Sequence, residues 1–269
     1  MKTRPLANPF GGPVYHAETL SSTMDAAREL AAGGAPHGTV ICADFQEAGR
    51  GRTRGRPWLG DRGDNLFFTI LFRYGSSLPS VLTLRTGLAV SRAVETFAPP
   101  LAGLLRIKWP NDLLILLPSG ARKAAGILAE SDGSVLFTGI GVNLCQGDFP
   151  PELRRKATSL RLSLRELGLE EGLEGEPRFS LLERILAFLH RELAGPEAGE
   201  SGLPGGWRRR LEERLYLKGE RVRFIAGPAD SGQAVEGRLL GIGPGGELLI
   251  LPDGGSETRA FIAGELDLS

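Results

Sequence analysis

The sequence predicts an α/β (α+β) chain in two parts, a large domain over residues 1–214 and a small β-barrel over residues 215–269. Three observations predict it. At 269 residues and 41% hydrophobic content, the chain can bury a core large enough for one large domain and a small one. Through the first part, apolar runs of strand length alternate with stretches whose apolar residues recur at helical spacing. From Leu215 onward the pattern becomes short alternating strands separated by Gly, Pro and Asp turns, too few for a sandwich and enough for a small SH3-like barrel.

Taken in order, residues 14–16 read as a first short strand. Ser22 or Thr23 caps the helix that follows, AARELAAGG, and Gly33-Gly34 ends it. Residues 39–45 are an apolar run of strand length. It opens into a loop carrying Arg50, Arg52, Arg54 and Arg56, with Gly49, Gly51 and Gly55 between them, and then Trp58. The run NLFFTILFRY at 65–74 is continuously apolar and aromatic, as in a strand buried on both faces. Residues 80–97 place Leu82, Leu84, Leu88, Val90 and Val94 at helical spacing, capped by Pro79 or Ser80 and stopped by Pro99-Pro100. Two short strands within 105–117 flank Trp109-Pro110-Asn111-Asp112, and a Pro118-Ser119-Gly120 hairpin leads into a strand over 122–130. Residues 135–144 form a further strand, 162–178 read as Glu-, Gly- and Leu-rich surface, 180–193 as an amphipathic helix, and 195–206 as a mobile excursion. The barrel strands fall at 221–225, 234–242, 247–251 and 258–262.

Composition narrows the function classes. Lys+Arg and Asp+Glu are both 32, so no global field draws the chain to nucleic acid or membrane, and the arginine loop is a local feature. Cys42 and Cys145 lie in or beside apolar runs without metal-ligand spacing, as buried free thiols do in a reducing compartment. The N-terminal stretch has no apolar core of signal-peptide length, and no run approaches the roughly 18 apolar residues of a membrane span, so a cytoplasmic protein is expected. Gly241, Gly243 and Gly246 fit a Gly-x-Gly-x-x-Gly pattern, yet no helix follows, which makes the segment a hairpin tip. No Gly-x-x-x-x-Gly-Lys-Ser/Thr segment exists, so any ATP is bound by something other than a P-loop.

The arginine loop is built to hold negative charge. Arginine presents a planar fork of donors matched to carboxylate or phosphate, glycine lets backbone amides approach a ligand, and an aromatic ring can stack on a base. Composition alone favours a solvated, mobile Arg/Gly loop, or an RNA-binding segment of the same composition, over a ligand loop. Helix caps, turns and solvent-facing strand residues would likewise account for Ser22, Trp109-Pro110-Asn111-Asp112 and Lys123 taken singly.

Together these segments resemble biotin protein ligases. Gln46, Gly49-Arg50-Gly51-Arg52, Gly55-Arg56 and Trp58 match the ligand loop of that family, with one residue more between Arg52 and Gly55 than its commonest pattern. Ser22-Thr23-Met24, Lys108-Trp109-Pro110-Asn111-Asp112, Lys123-x-x-Gly126-Ile127-Leu128-x-Glu130, Gly139-Ile140-Gly141-Val142-Asn143 and Ala157-Thr158-Ser159-Leu160 follow in the family's order. The resemblance covers nearly the whole chain from Val14. It implies the class II aminoacyl-tRNA-synthetase-like fold, a mixed, largely antiparallel sheet with helices on one face, followed by the barrel.

The implied reaction is ATP-dependent: biotin is activated as biotinyl-5'-AMP and then passed to a lysine of a biotin carboxyl carrier protein, with Mg²⁺ bridging the phosphates. The carboxylate and the α-phosphate are both anions, and at about 4 Å their repulsion is several kcal/mol in a partly dry site. Arg50, Arg52 and Lys123 are expected to offset it, with Asp112 receiving or orienting the acceptor lysine. The resemblance assigns biotin to Ser22, Thr23, Met24, Gln46, Arg50, Gly51, Arg52, Lys123 and Gly126. It assigns ATP to Trp58, stacked on adenine, and to Asn111, Asp112, Lys123 and Asn143, with no metal fixed by protein alone. The loop is expected to be ordered by its ligand. Family members are often homodimers. Some carry an N-terminal DNA-binding domain, and with only about a dozen residues before the first strand a ligase without repressor function is expected here. The rival readings are a lipoate or octanoate transferase of the same fold and an RNA-binding module.

Overall fold

The computed structural model describes residues 1–52, 58, 60–73, 81–169, 173, 175–194, 206–227 and 232–267. The expected caps Pro79 and Ser80, the loop residues Arg54 and Arg56, and the excursion at 195–205 lie outside these, as does the middle of the arginine loop whose ordering was anticipated.

Eight strands make the larger sheet: β1 (Lys2–Arg4), β2 (Val14–Leu20), β3 (Val40–Gln46), β4 (Leu66–Arg73), β5 (Leu105–Lys108), β6 (Asp112–Leu117), β7 (Gly120–Asp132) and β8 (Val135–Val142). Their order is β1-β2-β3-β4-β8-β7-β6-β5. β2 and β3 run parallel, because α1 (Thr23–Ala32) carries the chain back between them; the other pairings are antiparallel. A mixed, largely antiparallel sheet is thus present.

The helices lie on both faces, which corrects the expectation of one. Phe68, Ile70 and Phe72 of β4 join the core built with α2 (Leu82–Phe97) and α4 (Pro177–Ala194). On the opposite face Ile41, Leu71 and Phe137 pack with Met24, Ala26 and Ala27 of α1. Alternation along β4 explains it: successive side chains point to opposite faces, and nearly every one is apolar. Burying each of its phenylalanines and leucines contributes about 1.5–3 kcal/mol.

Two helices escape the sequence pattern. α3 (Leu160–Glu166) starts just before the stretch read as surface and runs into it, capped by Ser159, whose Oγ accepts from Leu162 N at 3.0 Å. α5 (Trp207–Glu212) precedes the second sheet. Both are under eight residues, too short to show helical periodicity.

The barrel anticipated at the C-terminus is met as a five-stranded antiparallel sheet: β9 (Arg221–Ala226), β10 (Gln233–Ile242), β11 (Leu248–Pro252), β12 (Arg259–Phe261) and β13 (Gly264–Asp267), in the order β12-β11-β10-β9-β13. β13 is one strand more than the sequence suggested. The glycine-rich segment after Ile242 is a hairpin tip, as expected. The sheet is fastened to the larger one. Ile107 N donates to Arg214 O at 2.8 Å, Tyr216 N donates to Ile107 O at 2.9 Å, and the Trp109 indole donates to Gly246 O at 2.9 Å with its ring 5.8 Å from that of Phe224.

Candidate functional site

The site forms where the parallel pair β2–β3 ends against the start of α1. Ser22 is the N-cap, its Oγ accepting from Met24 N at 3.2 Å, and Thr23 is the first helical residue. The free N–H of Thr23 donates to Gln46 Oε1 at 2.8 Å, and the Thr23 hydroxyl donates to the same oxygen at 3.0 Å. The Thr23 hydroxyl in turn accepts from buried Thr69 of β4 at 2.9 Å. With its oxygen engaged twice, Gln46 leaves its amide N–H₂ free to donate. Beyond β3 the chain stays beside α1, since Glu47 N bonds to Leu20 O and Ala48 N to Ser21 O. That places Gly49, Arg50, Gly51 and Arg52 directly over the helix cap.

The opposite wall is the β7–β8 pair. Gly126 and Gly141 face one another in register, and the Trp58 ring lies across both. A Cβ on Gly126 would fall 2.5 Å from Trp58 Cζ3, and one on Gly141 would fall 2.8 Å from Cε2, so neither position admits a side chain while the indole is there. Trp58 N donates to Gly49 O at 2.9 Å, closing the loop at its base. The Lys123 ammonium stands 5.0 Å from the indole centroid. The space left free is ≈ 50 Å³, room for waters only, whereas ligand pockets run to roughly 300 Å³ and above.

Among the described residues, Arg50, Arg52, Lys108 and Lys123 around this cavity each have a carboxylate partner on a separate element. Arg50 grips Asp25 of α1 through two bonds, 3.0 and 2.6 Å, and these bonds raise its pKa against the opposing effect of burial. Lys123 Nζ is 2.7 Å from Asp112 Oδ1. Arg52 Nη2 is 3.9 Å from Glu265 Oε2, and Lys108 Nζ is 3.8 Å from Glu265 Oε1. Burial pushes the Lys108 ammonium below its ordinary pKa, while Asp112 and Glu265 oppose the shift. The arrangement sets four cations with directed donors against three carboxylates, Glu265 being shared by Arg52 and Lys108. It suits a ligand that brings its own anions.

A sequence profile of the biotin/lipoate A/B protein ligase family matches residues 16–146. The biotin--[acetyl-CoA-carboxylase] ligase of Mycobacterium tuberculosis is 29% identical over 253 residues, 93% of this chain and 86% of the relative. The bifunctional ligase/repressor BirA of Bacillus subtilis is 40% identical over 157 residues, 55% of this chain and 45% of the relative. A biotin protein ligase from Aquifex aeolicus, solved with biotin and ATP, superposes with a TM-score of 0.72 at 26% identity, covering 94% of this chain and 97% of that one. Over residues 16–146 the chain is thus similar to the biotin/lipoate A/B protein ligase family, and over nearly its whole length to a biotin protein ligase fold. It spans about half the length of the BirA proteins from the two Bacillus species that it matches.

The structure brings Ser22, Thr23, Met24, Gln46, Arg50, Gly51 and Arg52 to one cavity with Trp58, Asn111, Lys123 and Gly126. Trp58, expected against adenine, sits over the glycines beside the residues assigned to biotin. Asp112 stands behind Lys123 as its ion-pair partner, and Asn111 holds β7 by donating to Ile127 O at 3.0 Å. Asn143 is buried beneath Lys123, donating to Thr158 O at 3.0 Å, and is not among the lining residues. Among the described residues no group of three or more His, Cys, Asp or Glu could hold a metal. Sequence reasoning missed Thr69, Asp25, Lys108 and Glu265. Lys108 opens the Lys-Trp-Pro-Asn-Asp segment and could have been found from it. Asp25 and Glu265 had no such signal, because their partners are 25 and more than 200 positions away.

Proposed function

We propose that this chain is an ATP-dependent ligase that activates biotin as biotinyl-5'-AMP and transfers it to a specific lysine of a biotin carboxyl carrier protein. The observation that carries this reading is one cavity lined both by the hydrogen-bonded pair Thr23 and Gln46 and by the cations Arg52 and Lys123. A neutral polar head with a chain ending in a carboxylate fits that polarity. The Mycobacterium relative is named for biotin and acetyl-CoA carboxylase, and the Aquifex ligase was solved with biotin and ATP.

In the first step a biotin carboxylate oxygen attacks the α-phosphorus of ATP, the P–O bond to the β-phosphate breaks, and pyrophosphate leaves. Arg50, Arg52 and Lys123 offset the repulsion between the anions and stabilise charge building on the phosphorane oxygens. In the second, the neutral ε-amine of the acceptor lysine attacks the acyl carbon, AMP departs, and the amine proton is lost. On this reading Asp112, paired with Lys123, orients or accepts it. Mg²⁺ would be held mainly by phosphate oxygens, with Asp112 the carboxylate at hand. Trp58 must swing aside for a ligand to reach Gly126 and Gly141. No helix among the described residues is long and apolar enough to cross a membrane, and Cys42 and Cys145 are buried free thiols, which supports placing the reaction in the cytoplasm.

The test is biotin-dependent pyrophosphate exchange into ATP by the purified chain, with lipoate as the comparator because the family includes lipoate ligases. Exchange with biotin and none with lipoate is expected. Exchange with lipoate alone would move the chain to the other branch. Steeply salt-dependent RNA binding without either exchange would overturn the ligase reading.

A further inference from the structure

Four side chains of alternating charge run from the arginine loop to the C-terminal end of β7. Arg50 donates from Nη1 to Asp25 Oδ2 at 3.0 Å and from Nη2 to Asp25 Oδ1 at 2.6 Å. One turn further along α1, Arg28 stands with Nη1 3.9 Å from the same Oδ1, the i,i+3 spacing that puts two residues on one helix face. Arg28 donates through Nη2 to Glu130 Oε2, and its guanidinium carbon lies 5.2 Å from the ring centroid of Phe137. Glu130 and Phe137 are paired in register across β7 and β8, and Phe137 is buried, so Arg28 is seated on the sheet itself. Glu130 ends the Lys123-x-x-Gly126-Ile127-Leu128-x-Glu130 segment. Alternation along β7 puts it on the α1 face with Leu128, which lines the cavity, whereas neither Glu130 nor Asp25 does.

The two arginines are held unequally. Arg28 is fixed from the sheet side by an acid and a buried ring, while Arg50 belongs to a loop and lines the cavity. A carboxylate bonded to both outer nitrogens of a guanidinium occupies the fork that a ligand's carboxylate or phosphate would need. In the empty protein, then, Arg50 can turn that fork to a ligand only by leaving Asp25. Leaving would ordinarily strand a carboxylate, which opposes release. Here a second cation already waits 3.9 Å away. With Nη1 toward Asp25 and Nη2 toward Glu130, Arg28 can serve both acids at once.

Resting on the ligase reading above, we propose that Asp25 latches Arg50 in the empty protein, and that Arg28, anchored by Glu130, takes over Asp25 when Arg50 turns to the ligand's anion. Asp25, Arg28 and Glu130 are then positioning residues that act through Arg50. The experiment compares wild type with Asp25→Asn, Arg28→Gln and the double variant. The first measurement needs no ligand. Trypsin must draw the Arg50 side chain into its own pocket to cut after it, so the initial cleavage rate there, followed by mass spectrometry, counts the unlatched fraction. In Asp25→Asn that rate is expected to rise about two- to fivefold, the scale of one exposed ion pair. The second is biotin binding by calorimetry. A latch hides the competent state and raises the apparent Kd, so Asp25→Asn is expected to bind about two- to fivefold more tightly, and Arg28→Gln more weakly by a similar factor. Glu130 loses its partner in Arg28→Gln with or without biotin, so that loss cancels out of the affinity. The double variant has no carboxylate to strand and is expected to bind as Asp25→Asn does.

An unchanged cleavage rate after Arg50 in Asp25→Asn overturns the latch whatever the affinities. Faster cleavage with weaker biotin binding makes Asp25 a fixed support for Arg50 and overturns its release. Equal weakening by Arg28→Gln in both backgrounds overturns the takeover. Absence of biotin binding by wild type would instead sink the ligase reading, and the cleavage rates would still decide whether Asp25 holds Arg50.

Discussion

Replacing Lys123 by methionine separates what its charge does for the fold from what it does for the reaction. The ammonium lies 2.7 Å from Asp112. At an effective dielectric constant of about 20 that pair has a bare attraction of about 6 kcal/mol. The Lys123 and Asp112 side chains are 32% and 19% exposed, so desolvation and screening cancel most of it, leaving about 1–2 kcal/mol. Lys123→Met should therefore lower the melting temperature by a few degrees, mostly because Asp112 is left half-buried without its partner. Its effect on adenylation should be larger, about 10²–10³-fold in kcat, because a cation aimed at developing phosphoryl charge is worth about 2.7–4 kcal/mol in the transition state. Thermal melts and pyrophosphate exchange measure the two. The decisive protein is the double variant Lys123→Met/Asp112→Asn, which leaves no stranded charge and should recover most of the stability with none of the activity. Recovery of exchange in the double variant would refute the catalytic assignment and reduce Lys123 to a structural counter-ion.

Three further outcomes follow from the same geometry. Thr69→Val removes the donor behind Thr23 and Gln46 at nearly constant shape, so the KM for biotin should rise about fivefold, the equivalent of one hydrogen bond of about 1 kcal/mol, while the KM for ATP holds. Burial, with Asp44 adding to it, pushes the Cys42 thiol up to about 12, so iodoacetamide at pH 8 should leave Cys42 unmodified in the native protein and alkylate it in urea. At Asp44 burial works against ionisation, but hydrogen bonds from His16 and Arg178 outweigh it and hold the carboxyl below its ordinary pKa. Its stabilisation is present above the unfolded value of about 3.9 and is lost as pH falls through the lower folded value. In urea titrations the advantage of wild type over Asp44→Asn should stay level from pH 7 to 5 and shrink below pH 4; a gap that persists in acid would contradict it.

Much of the larger sheet was legible because its strands are apolar on both faces. NLFFTILFRY could hardly be anything else, and β3 and β8 share the pattern. The lining residues were legible too, because Gly, Arg, Trp and Lys cluster in short segments that match a family in order. What stayed hidden depended on pairing between distant residues. β1, Lys-Thr-Arg, has no apolar residue and exists by its antiparallel ladder to β2. α1 reads as an ordinary amphipathic helix, and only the β2–β3 crossover puts it on the face away from α2 and α4. Asp25 and Glu265 look like surface acids in sequence, and the folded chain turns them into counter-ions for the loop.

The indole over Gly126 and Gly141 has a consequence for any measured affinity. A floor covered by the protein's own aromatic ring is available only for the fraction of time that the ring is elsewhere, and the apparent dissociation constant is the intrinsic one divided by that fraction. The two glycines tune this competition from below: a methyl on either would crowd the indole first. Gly141→Ala would thus weaken the resident before it weakened the visitor, and a single methyl group would set the odds of eviction.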